Sequence, residues 1–224
     1  MKQFTLGVKH RLVSKKSERT GIALRIRLLF ALAISFICLV PTAKATTVIP
    51  PDFSTMVHRA EVIFRGKVTN VRSEWTGEGS QRCIVSYITF DVLKTLKGKP
   101  ATPYVLKMLG GTVGDQALEI PGVPKFNVGD HTLLFVEHNG TQFVPLVGIM
   151  HGYFRIQTDT KTGAETVLRY NGDPLQNTAE IDQTHQRAVA SGGIAEETAQ
   201  STPGTPMKRS DFENQIEQKL TSDP

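Results

Sequence analysis

From Val62 to Tyr170 apolar residues recur at alternate positions in short runs, and glycine or proline closes most of the runs. That period puts one face of an extended chain against a core and the other toward water, so the segment is constrained to strands joined by tight turns. Val62, Phe64, Gly66 and Val68 share one face of the first run, and Gly66 marks a bulge or a bend at a barrel corner. After the turn Thr76-Gly77-Glu78-Gly79-Ser80, the residues Ile84, Ser86, Ile88, Phe90 and Val92 form a second face, which ends at the breaker cluster Leu96 to Pro100. Tyr104 to Leu109 is a third strand, closed by Gly110-Gly111. Residues 112–130 are turn-rich, with Gly114, Pro121, Gly122, Pro124 and the turn Asn127-Val128-Gly129-Asp130. Thr132 to Val136 reads as a buried strand and Asn139-Gly140 as a hairpin turn. Phe143 to Val147 is the return strand, pushed to a sheet edge by Pro145. Tyr153 to Gln157 and Thr166 to Tyr170 pair around Lys161-Thr162-Gly163. Short strands, Gly/Pro turns and few helices predict a mainly β fold, a barrel or a sandwich.

Helices are short and flank this region. Asp52 stands at a cap position before Phe53, Met56 and Val57, so a helix is expected over 53–59. Residues 173–207 are rich in Gly, Ala, Thr, Gln and Pro and read as a linker, with a helical turn around 179–189. A helix over 208–222 follows. Ser210 and Glu213 have capping-box spacing, and Phe212, Ile216 and Leu220 make one apolar stripe that docks on the domain or on a partner.

Ahead of the β region, Leu28 to Val40 is a charge-free apolar run of 13 residues, flanked by Arg25 and Arg27 and followed by Ala43-Lys44-Ala45. A basic flank, a short apolar core and a small-x-small site are the parts of a secretory signal peptide. The run is shorter than the roughly 20 residues of a membrane-spanning helix. The expected division is therefore a signal at 1–45, cleaved between Ala45 and Thr46, and a β domain over 46–172. The working start codon lies at Met1 or downstream, near Val13 or Leu24. Cleavage would take nine of the 26 Lys/Arg and one of the 21 Asp/Glu, turning a formal +5 into −3. A nucleic-acid partner then loses its electrostatic basis, and the expected location is secreted or periplasmic. Cys38 would leave too, so Cys83 has no disulfide partner and is read as a buried, inert thiol.

Motifs that carry chemistry are missing. His58, His131, His138, His151 and His185 form no H-E-x-x-H, and no C-x-x-C is present. Glu137, His138 and His151 would be the nearest thing to a ligand set, but Glu137 and His138 point to opposite faces of a strand. No G-x-S-x-G exists for a serine nucleophile. Gly110 to Gly114 lacks a P-loop lysine, so a tight turn or a close backbone approach explains it better. Trp75 beside a glycine-rich loop is a candidate contact residue, or else a cover for the barrel end.

The order of signals from Ala60 to Ile156 resembles a known layout: A-E-V-I-F-R-G-K-V, then Y-I-T-F-D-V-L-K-T-L-K-G, a double glycine, F-N-V-G-D, and T-L-L-F-V-E before a hairpin. It is similar to netrin-like modules, to the amino-terminal domains of tissue inhibitors of metalloproteases, and to uncharacterised secreted bacterial proteins. The resemblance implies a small barrel of the oligonucleotide/oligosaccharide-binding (OB) type. Those inhibitors use several disulfides and a mature amino-terminal cysteine that chelates zinc. Here the mature end would be Thr46-Thr47-Val48, so that chemistry does not carry over.

The expectation is a monomeric, non-enzymatic binding module without cofactor, catalytic or metal site and without membrane insertion after cleavage. Its partner is a protein, an exported protease by resemblance. The contact surface is expected around Trp75, Gly110, Gly111, Pro121 and Phe126. Two other classes stand beside it: a secreted hydrolase or metal-dependent enzyme, which stoichiometric zinc would reveal, and a cell-envelope structural or assembly protein.

Overall fold

The two longest strands pair with each other over most of their length, and three irregularities bend the pair. The computed structural model describes residues 49–191 and 204–222. The signal segment with Ala45 and Thr46, and residues 192–203 of the expected linker, lie outside them. Strand β1 (Val62–Thr76) and strand β2 (Cys83–Lys97) run antiparallel, and the register slips at Ile63/Phe64, Arg65/Gly66 and Val68/Asn70. The first two slips leave Leu96 and Leu93 as extra residues on β2, and the third leaves Thr69 extra on β1. Each extra residue sharpens the local twist and curls the hairpin. At the corner, a Cβ on Gly66 would lie 2.9 Å from the Asp91 carbonyl oxygen, so only glycine lets the strands approach there.

The remaining strands are β3 (Tyr104–Leu109), β4 (Gly111–Val113), β5 (Gln116–Leu118), β6 (His131–Val136), β7 (Tyr153–Thr158) and β8 (Glu165–Leu168). Six form one sheet in the order β3-β2-β1-β6-β7-β8, with antiparallel pairing throughout, and β4-β5 make a small second sheet. The fold is thus mainly β, as the alternation predicts. No ladder joins β3 to β8 among the described residues.

Both faces of the sheet are buried at its centre, because alternate residues of β1 and β6 enter different cores. Phe64, Val68, Leu134 and Val136 pack with Ile88, Phe90, Leu106, Met108, Phe126 and Tyr153 on one side, the inner core. Ile63, Leu133 and Phe135 pack on the other side with Phe154, Ile156 and the helices. Helix α1 (Phe53–Arg59) contributes Phe53, Met56 and Val57, and Asp52 caps it by accepting from the Thr55 N–H at 2.8 Å. Helix α2 (Ala179–Ala190) supplies Ile181 and turns Asp182 back to accept from the Phe53 N–H at 2.8 Å. Helix α3 (Arg209–Ser222) inserts Phe212 and Ile216, both fully buried, and Phe212 meets the rings of Phe53, Phe135 and Phe154. None of the described helices is long and apolar enough to cross a membrane.

Three details differ from the sequence reading. The segment expected as a linker carries the 12-residue α2 and two core residues, Leu175 and Met207. Leu175 N–H donates to the Val167 carbonyl and Met207 N–H to the Leu175 carbonyl, so the chain on both sides of 192–203 is laid along β8. The expected return strand at 143–147 shrinks to a single bridge, Val136 to Leu146. Its turn serves β3 instead: the Asn139 side chain accepts from the Lys107 N–H at 3.0 Å and donates to the Val105 carbonyl at 2.8 Å. The Phe143 carbonyl accepts from the Leu109 N–H at 2.7 Å. Both sheet edges are covered in this way, which removes the open hydrogen-bonding rows that invite aggregation. The expected capping box is also absent. Phe212 N–H donates to the Lys208 carbonyl, and Glu213 points into a buried ion network.

Candidate functional site

The β1-β2 hairpin curls over an open cleft of about 420 Å³, walled on the far side by β4-β5 and the 119–127 loop. Its floor is the inner core, reached through Ile88, Met108 and Phe126, and its walls add Val71, Leu118, Ile120 and Val123. Hydrophobic burial builds this floor before any ligand arrives: Phe126 stacks edge-on against Phe90 and Tyr153 at 5.6 and 5.2 Å.

Within the apolar walls sit two hydroxyls that face each other across the β1-β2 ladder, where Ser73 pairs with Ser86. Their oxygens are 2.8 Å apart, and Ser86 donates to the Gly110 carbonyl at 2.6 Å. A serine has one hydrogen to give. With the Ser86 hydrogen committed to Gly110, Ser73 must donate to Ser86, and the Ser73 oxygen is left as an acceptor. Gly111 lies directly over the pair at φ +133°, and a Cβ there would collide with both hydroxyls. The double glycine is therefore a close backbone approach, one of the two readings its sequence supports. At the rim, Lys125 pairs with Glu119 at 2.8 Å. Hydrogen bonding to Lys125 is the main reason the Glu119 carboxyl is held below the usual range.

The sequence candidates fall at different depths around this cleft. Gly110, Gly111 and Phe126 line it. Pro121 is exposed on the turn beside it. Phe126 is a core residue, 9% exposed, so it shapes the floor rather than reaching for a partner. Trp75 is half-buried rather than exposed; it lies beyond the lining residues, opposite Ile84, with the Arg82 guanidinium 4.5 Å from its ring. Cys83 is half-buried, 3.5 Å from the Thr76 hydroxyl. Sequence reasoning passed over Ser73 and Ser86. Ser86 did carry a signal, as the one polar member of the stripe Ile84, Ser86, Ile88, Phe90, Val92.

The histidine and acid candidates of the sequence, Glu137, His138 and His151, are engaged elsewhere. Glu137 takes Arg59 at 2.7 Å, His138 takes Glu61 at 2.8 Å, and the His151 ring meets that of Tyr170. His185 lies 2.8 Å from the Pro50 carbonyl oxygen. Among the described residues no three His, Cys, Asp or Glu side chains converge as a metal-binding group. A buried charge cluster joins α3 to the sheet. Glu213, 2% exposed, pairs with Arg65 at 2.8 Å, Arg209 at 3.0 Å and Lys94 at 3.2 Å. Burial works against its charge, but hydrogen bonds from those three cations prevail and hold its carboxyl below the usual range. His131 adjoins Arg65 at 3.1 Å and Glu165 at 3.7 Å. Burial lowers its pKa most; Glu165 opposes this, and Arg65, Arg209 and Lys67 add to it. This cluster lies on the helical side of the sheet and serves α3, not the cleft. No protein-family model and no curated protein matches the chain.

Proposed function

We propose that the chain is an exported, non-enzymatic binding module that engages and inhibits a protein partner, a secreted protease, at the cleft end of an OB-like barrel. The observation that carries this reading is the cleft itself: a preformed hollow with an apolar floor and a mixed lining, bounded by surface loops, with no nucleophile-base pair among its lining residues. Barrels of this class bind through loops and one open face. Three bulges curl the sheet, and the 139–143 turn bonds to β3, both of which favour the barrel description. Export rests on the pattern over 25–45, and the protein itself is read as a monomer.

The test is co-elution on size exclusion of the purified protein with an exported protease. A variant whose loop 119–125, exposed at Glu119, Pro121, Gly122 and Lys125, is replaced by Gly/Ser, leaving Phe126 in place, is expected to elute alone. Co-elution that survives the replacement would remove the cleft end as the contact surface.

A further inference from the structure

We propose that the cleft is a binding site for a small, neutral, mostly apolar molecule that carries one N–H or O–H donor. This goes beyond the partner-binding reading and does not depend on it. Three observations converge. The volume, about 420 Å³, falls within the roughly 300–1,000 Å³ of small-molecule pockets, which combine an apolar lining with a few placed polar groups. The charges at the rim cancel, since Glu119 and Lys125 are paired with each other, so a charged ligand gains no counter-ion from them. The polar group is placed and directional: the hydrogens of Ser73 and Ser86 run to the Gly110 carbonyl, which leaves the oxygen of Ser73, a lining residue, as an acceptor.

The direction of that chain sets the ligand chemistry. A ligand acceptor would find no hydrogen at the serines unless the chain were broken. A ligand donor completes it at no such cost, with its apolar part over Ile88, Met108 and Phe126. Gly111 clamps the serine pair from above, so the acceptor is fixed before the ligand arrives.

The probe is N-phenyl-1-naphthylamine, a neutral aromatic with one N–H, titrated into the purified protein by fluorescence. Its donor-free analogue 1-phenylnaphthalene is measured by displacement. The expected result is saturable binding of one probe per chain, with the amine preferred. Ser73→Ala should weaken the amine by about five-fold and leave the hydrocarbon unchanged. Val71→Trp, at the mouth of the cleft, should abolish both without lowering the melting temperature. Ile120→Trp serves the same purpose from the opposite wall should the first variant fold poorly. Val189→Ser, 53% exposed on α2 and outside the cleft lining, should change nothing. No saturable binding, binding that survives both tryptophan variants, or binding lost in Val189→Ser would overturn the site. Equal loss of both probes in Ser73→Ala, or no loss of either, would overturn the donor requirement.

Discussion

Thr132 is fully buried on β6, and its hydroxyl has no hydrogen-bond partner. A buried, unsatisfied hydroxyl costs about 1–3 kcal/mol, so Thr132→Val is expected to stabilise the protein by about 1 kcal/mol in urea titration. Glu213 is the opposite case. It is buried but surrounded by three cations, and removing it leaves Arg65 next to His131 with its charge uncompensated. Glu213→Ala should cost about 3 kcal/mol, far more than loss of the exposed Glu119, whose ion pair is screened by solvent. The same cluster sets an acid sensitivity. His131 is held neutral below its ordinary value of 6.5, so the unfolded chain takes up its proton first and stability falls as pH drops through that value. Glu213 is held charged below its ordinary value of 4.5, so its contribution disappears in a second, lower window. The denaturation midpoint is therefore expected to fall from pH 7 to pH 5, and His131→Gln should flatten that first decline. A midpoint that rises on acidification over this range would contradict the assignment.

Among the helices, α3 (Arg209–Ser222) joins packing to charge. It closes the helical core with Phe212 and Ile216 and completes the ion network through Glu213 and Arg209. Phe212→Ala should cost about 3–5 kcal/mol, and deletion from Lys208 onward should leave a chain that aggregates or melts well below the full-length protein in a thermal scan. How far such elements can be read from sequence depends on whether their signals are local. The α1 cap at Asp52, the two-residue period of β1 and β2 and the bulge at Gly66 are local, and each is present in the fold. The Phe212, Ile216, Leu220 stripe predicts a docked helix for the same reason. Glu213 looked like a capping residue because its spacing from Ser210 fits one, yet Arg65 and Lys94, more than a hundred positions away, claim its side chain. Asn139 looked like a hairpin turn and serves as a patch for the edge of β3. Residues 173–207 looked like a linker, apart from a helical turn around 179–189, because they are rich in Gly, Ala, Thr, Gln and Pro, but two or three well-placed side chains suffice to dock a short segment. The cleft was partly legible: the double glycine announced a close approach, but what it approaches required the β1-β2 register that brings Ser73 opposite Ser86.

At the scale of the whole molecule, the two faces of one sheet have separate duties. The helical face holds the fold through aromatic packing and a buried charge cluster. The opposite face carries a core that opens into the cleft, and the 119–125 loop over it is where a partner would arrive. Export is part of the same account: amino-terminal sequencing of the protein recovered outside the cytoplasm is expected to begin at Thr46, and a start at Met1 would contradict cleavage. Partner binding is tested most directly by titrating the purified protein into the exported proteins of the cell that makes it, while following their proteolytic activity. The account predicts a saturable loss of activity that the 119–125 Gly/Ser variant does not cause at equal concentration. Undiminished proteolysis, or equal loss with the variant, would contradict it.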